Sequence, residues 1–73
     1  MEYTVIAHTA EEGGFWVEVP SLPGCFSQGE TVEEALENVK EAIELHIQGL
    51  KEDGQRVPAD EGFVIRRVEI KAA

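Results

Sequence analysis

The chain has 73 residues, with fifteen Asp and Glu against six Lys and Arg, and a net charge of −9. That length accommodates one small domain, residues 1–73, and so acidic a body repels nucleic-acid phosphate before any local contact forms. Cys25 is the only cysteine, so no disulfide closes within the chain; with no basic-then-apolar leader and no apolar run longer than three residues, the expectation is a cytoplasmic protein without a membrane span.

Residues 3–9 alternate, with Tyr3, Val5 and Ala7 on one side and Thr4, Ile6 and His8 on the other, and Glu11-Glu12-Gly13-Gly14 then supplies turn chemistry; this predicts a strand and a hairpin. Phe15 to Val19 is aromatic and β-branched and reads as a second strand, stopped by Pro20, which has no amide to donate to a ladder. After the rigid Pro20-Ser21-Leu22-Pro23-Gly24 loop comes a short third strand through Cys25, Phe26, Ser27 and Gln28, ended by Gly29. Thr31-Val32-Glu33-Glu34 has the form of a capping box, in which the Glu34 amide donates to the Thr31 hydroxyl and the Glu34 carboxylate reaches back to the Thr31 amide. Val32, Leu36, Val39, Ile43, Ile47 and Leu50 then recur at helical spacing, giving a helix of about 30 Å stopped at Gly54. A loop containing Val57-Pro58 leads to a last strand over 63–70. The order β-β-β-α-β makes an α+β fold, a small antiparallel-rich sheet with one helix on one face. The predicted core is Val5, Val17, Leu36, Val39, Ile43 and Ile47. One helix covers one sheet face, and open strand edges remain, so a homodimer or other even-numbered assembly is expected, with Trp16, Ala42 and Gly49 as candidate contacts.

The carboxylates do not converge as a two-metal nuclease site requires. Asp53 and Asp60 lie in or beside the loop after the helix, Glu18 and Glu69 are the acids within predicted strands, and most other glutamates ring the polar helix face; no metal and no cofactor is expected. Cys25, His8 and His46 are the candidates for nucleophile and base, yet Pro23-Gly24-Cys25-Phe26 supplies nothing that lowers a thiol pKa, so Cys25 reads as a small buried residue, His46 as partly buried and His8 as an isolated strand residue. No catalytic residue is assigned. Arg66 and Arg67 are adjacent in a strand and point to opposite faces, which weakens them as an RNA patch. Ala35, Ala42 and Gly49 recur every seventh residue along one flank of the helix, with Leu45 well off the stripe. Either the glycine lets the helix lie close to its own sheet, or this flank receives another backbone with Leu45 as an exposed contact.

The run Val19-Pro20-Ser21-Leu22-Pro23-Gly24-Cys25-Phe26-Ser27-Gln28-Gly29-Glu30-Thr31, followed by Glu33-Glu34-Ala35-Leu36-Glu37-Asn38, resembles the HicB-like antitoxin family, and the likeness extends over essentially the whole chain. The resemblance implies a degraded ribonuclease-H-like fold without catalytic carboxylates, and a partner: a small basic HicA-like toxin that cleaves mRNA and whose active site the antitoxin covers. The acidic helix face, Glu37, Glu41 and Glu44 with Leu45, is the candidate partner-binding surface. The family's operator-binding segment has no counterpart before Ala73, so no direct DNA binding is expected. The alternative function is a stand-alone RNA-associated or vestigial ribonuclease-H-like protein without catalysis.

Overall fold

The computed structural model describes residues 1–72. Three strands, β1 (Ile6–Thr9), β2 (Phe15–Glu18) and β3 (Phe26–Gly29), form an antiparallel sheet in the order β1-β2-β3, and the helix α1 (Val32–Glu52) follows. The β1–β2 turn is closed by the Gly13 amide donating to the Ala10 carbonyl and the Ala10 amide to the Gly14 carbonyl, each at 3.1 Å. Gly13 and Gly14 both take positive φ there, a conformation that side chains resist. β1 is shorter than the predicted 3–9. Its register sets Ile6 opposite Glu18, so Thr4 falls opposite Pro20, where the ladder lacks a donor.

The helix begins as the capping pattern requires. The Glu34 amide donates to the Thr31 hydroxyl at 3.1 Å, while the reaching carboxylate accepts from the Glu30 amide at 3.0 Å, one residue before the predicted partner. It ends in a Schellman arrangement: the Gly54 amide donates to the Lys51 carbonyl and the Gln55 amide to the Leu50 carbonyl, with Gly54 at φ +69°.

The register puts Cys25, Ser27 and Gly29 on the helix-facing side of β3, in line with Val17 and Phe15 on β2. These are small, and so are Ala35 and Ala42, which lie on the sheet-facing side of α1; the helix therefore approaches β3 closely. A Cβ added at Gly29 meets the Ala35 amide nitrogen at 2.5 Å. The fully or nearly buried residues are Val17, Val19, Leu22, Cys25, Ala35 and Val39. Val17, Val39 and the buried Cys25 are as the sequence indicates, but the helix face centres on Ala35 and Val39, with Ile43 and Leu50 of the predicted stripe packed against this core and Leu36 at its margin. Leu36 is 40% exposed, and Val5, Ile43 and Ile47 are partly buried. Leu22 and Val19 fill the space instead: the loop folds on itself through the Leu22 amide on the Val19 carbonyl and the Cys25 amide on the Leu22 carbonyl, each at 2.9 Å, turning Leu22 inward.

The predicted fourth strand is the other difference. Residues 63–72 form no strand with the rest of the chain and are exposed throughout. The physical reason lies just before them. Asp60 and Glu61 are tied to Thr4 and Ser21 and Pro58 to Tyr3, and Gly62 then turns the chain at φ +74°, so the segment leaves the body as an arm. The radius of gyration is 14.7 Å, against about 11 Å for a compact chain of this length, and the long axis reaches 52 Å.

Candidate protein-binding site

Two surfaces and one polar node gather the chemistry-bearing side chains. On the sheet face away from the helix, the register brings Ile6, His8, Trp16, Glu18 and Phe26 together. His8 Nε2 lies 2.6 Å from Glu18 Oε2 as a hydrogen-bond donor, and the His8 ring stacks on Trp16 with centroids 4.1 Å apart. His8 is therefore not isolated: β1 and β2 hold it between an acid and an aromatic plane, a contact that needs the register as well as the alternation. A histidine–carboxylate pair could orient a base, but the thiol is not its partner. Cys25 lies in the core under the helix, and burial pushes its pKa up, opposite to the shift that makes a nucleophile.

The second surface is α1. Glu37, Glu41 and Glu44 are all exposed on its outward side, and Leu45 beside them is 62% exposed, so the structure gathers these four on one face as the helical period indicates. It does not join them to the other singled-out residues. Trp16 sits on the far side of the sheet, and Ala42 packs against the chain's own core. A Cβ on Gly49 meets nothing within 4 Å, so that glycine does not serve close packing on the sheet; Gly29 does. Between α1 and the segment leading into β1, an open groove of about 510 Å³ is lined by Tyr3, Val5, Leu36, Ile43 and Ile47, among others, with Lys40 and Glu44 also in its wall.

Asp60, which sequence reasoning placed in a loop without a role, forms the node. It accepts from the Thr4 amide at 3.0 Å, the Thr4 hydroxyl at 2.8 Å and the Ser21 hydroxyl at 3.2 Å, and these bonds, the Thr4 amide foremost, hold its carboxyl below the usual range. The Tyr3 hydroxyl donates to the Pro58 carbonyl beside it. No local motif signals this node, because its partners are 39 and 56 residues away. Among the described residues no three His, Cys, Asp or Glu side chains gather as a metal-binding group, and no helix is long and apolar enough to cross a membrane. What the arrangement offers is contact surface: an acidic helix face, an aromatic sheet face and an apolar groove.

The family model of the HicB_like antitoxin of bacterial toxin-antitoxin system matches residues 3–69. A UPF0150 protein of Thermoplasma acidophilum is 52% identical over 60 residues, which is 82% of this chain and 87% of the relative. Among solved structures, the N-terminal domain of the Burkholderia pseudomallei antitoxin HicB superposes with a TM-score of 0.74 at 35% identity, over 86% of this chain and 74% of that one. The longer structure of the same antitoxin superposes with a TM-score of 0.69 at 38% identity, over 78% of this chain but 43% of that one.

Proposed function

The chain belongs to the HicB-like antitoxin family, and from that premise we propose that it binds a small, basic, mRNA-cleaving HicA-like toxin and neutralises it by covering its active site, acting in the cytoplasm by contact and without chemistry of its own. The observation that carries this reading is the fold shared with the N-terminal domain of antitoxin HicB over 86% of the chain. The electrostatics support it. A toxin that grips RNA presents a cationic site to phosphate, and Glu37, Glu41 and Glu44 offer carboxylates to that same site from one exposed helix face, with Leu45 as an apolar anchor among them. Opposite charges steer the encounter, while a desolvated apolar contact slows dissociation. The field that attracts a basic protein also disfavours direct contact with DNA.

The test is neutralisation of a basic, HicA-like toxin encoded beside this chain. Co-expression should relieve the growth arrest that the toxin alone causes, the two chains should co-purify, and mRNA cleavage in vitro should stop as the chain reaches stoichiometric excess. A toxin that keeps cleaving at full rate in a large excess of folded chain refutes the reading.

A further inference from the structure

The arm after Gly62 has the sequence of a strand and the exposure of none. Phe63, Val64, Ile65, Val68 and Ile70 are all exposed, the last two at 78%, and no backbone hydrogen bond ties residues 63–72 to the rest of the described chain. Five large apolar side chains on ten residues, alternating to both faces, is the pattern of a strand covered on both sides. The body has a matching vacancy. β1 is an edge strand, the helix lies over β2 and β3 so that Ala7 and Thr9 on the helix side of β1 are exposed, and the apolar groove at Tyr3 and Val5 continues that open strip beneath Ile43 and Ile47.

We propose that residues 63–70 of each copy add as a strand to the free β1 edge of a second copy, seating apolar side chains in its groove, so that two chains exchange arms about a two-fold axis. Three observations single out a second copy as the occupant. The reach suffices: eight extended residues span about 26 Å, enough to run along β1 (Ile6–Thr9) and on into the groove at Val5 and Tyr3 that continues it. The charges are complementary: residues 1–62 hold fourteen acids against three bases, whereas the arm carries Arg66, Arg67 and Lys71 against Glu69 alone. Finally, the chain's own arm is directed away from its own body by the Asp60 node and the Gly62 turn, which leaves the edge to another molecule.

Light scattering on the full chain between 1 and 100 μM, with methyl contacts read between differently labelled copies, tests this. The expected mass is twice 8.1 kDa, with intermolecular contacts from Val64 or Val68 to Val5, Ile43 or Ile47. Replacing Val64→Glu and Val68→Glu together, on residues exposed in the single chain, should leave the circular dichroism unchanged and weaken association about a hundredfold or more, since a carboxylate cannot enter an apolar groove unpaired. A monomer at 100 μM overturns the proposal. So does a dimer that survives the double substitution, a dimer whose arms contact only each other, or an arm whose contacts to the groove are all within one chain.

Discussion

Truncating Leu22 is the sharpest test of where this domain keeps its stability. The side chain is completely buried, under a loop whose backbone is fixed by the Val19 and Cys25 hydrogen bonds, so Leu22→Ala removes three carbons and leaves a space the loop cannot fully close. Leucine-to-alanine changes at such sites cost about 2 to 5 kcal/mol; about 3 is a fair expectation for a loop that relaxes partly. A chain of this length has roughly 4 to 11 kcal/mol in total, and the loss should lower Tm by about 12 to 24 °C. Leu36→Ala is the control. Leu36 is 40% exposed and lines an open groove, so its truncation encloses no cavity and should cost about 1 kcal/mol. Urea melts of both variants, in the Val64→Glu, Val68→Glu background so that no second chain covers Leu36, measure the contrast. If Leu36→Ala costs as much as Leu22→Ala, the leucine-bearing stripe is the core after all, and the placement of Ala35 and Val39 at its centre is wrong.

Two glycines should respond with opposite signs: Gly49→Ala, whose Cβ meets nothing, should raise stability by about 1 kcal/mol through helix propensity, while Gly29→Ala, whose Cβ falls 2.5 Å from the Ala35 nitrogen, should lower the melting temperature sharply. Equal effects in thermal melts would dismiss the close approach of α1 to β3. Asp60 carries a lowered pKa when folded, so its stabilising bonds are fully present above the ordinary carboxylate range and are lost as pH falls through the depressed value. The Thr4 amide resonance should therefore hold its position through mild acid and move only below that range, and in Asp60→Asn it should show no such transition. With a cognate toxin in hand, reversing Glu37, Glu41 and Glu44 together should slow association several-fold at about 50 mM salt and flatten its salt dependence, leaving dissociation little changed. An unaltered association rate in stopped flow would restrict the acidic helix face to solubility.

The elements were legible where their determinants are local. The cap at Thr31, the stop at Gly54 and the turn at Gly13-Gly14 each rest on neighbours within five residues, and the structure has all three. The Pro-Ser-Leu-Pro-Gly loop marked its own position but not the direction of Leu22, which depends on the hydrogen bonds that curl it. Helical spacing gives the extent of α1 but not its facing, because hydrophobicity weights leucine above alanine, whereas the small residues of β3 select alanine as the side chain that fits. Residues 63–70 read as a strand from an apolar start followed by Val68 and Ile70 among charged residues, but that pattern names no partner. For the candidate site, helical spacing was enough to gather Glu37, Glu41, Glu44 and Leu45; His8 with Glu18 and Trp16 required the register, and Asp60 with Thr4 and Ser21 required the whole fold.

The Asp60 node also bears on the order in which the molecule assembles. It joins positions 4, 21 and 60, closing a loop of 56 residues, whereas the hairpin, the short β2–β3 connection and the helix close over few residues. Loop closure of that length costs entropy before any contact repays it, so the sheet and helix form first and the node clasps an almost finished body. A contact made after the rate-limiting step governs escape, not arrival: Thr4→Val and Ser21→Ala should raise the unfolding limb of a chevron plot and leave the refolding limb in place. The clasp thus acts as a latch on the lifetime of the folded chain, and a refolding rate that falls in step with the lost stability would show that it forms early instead.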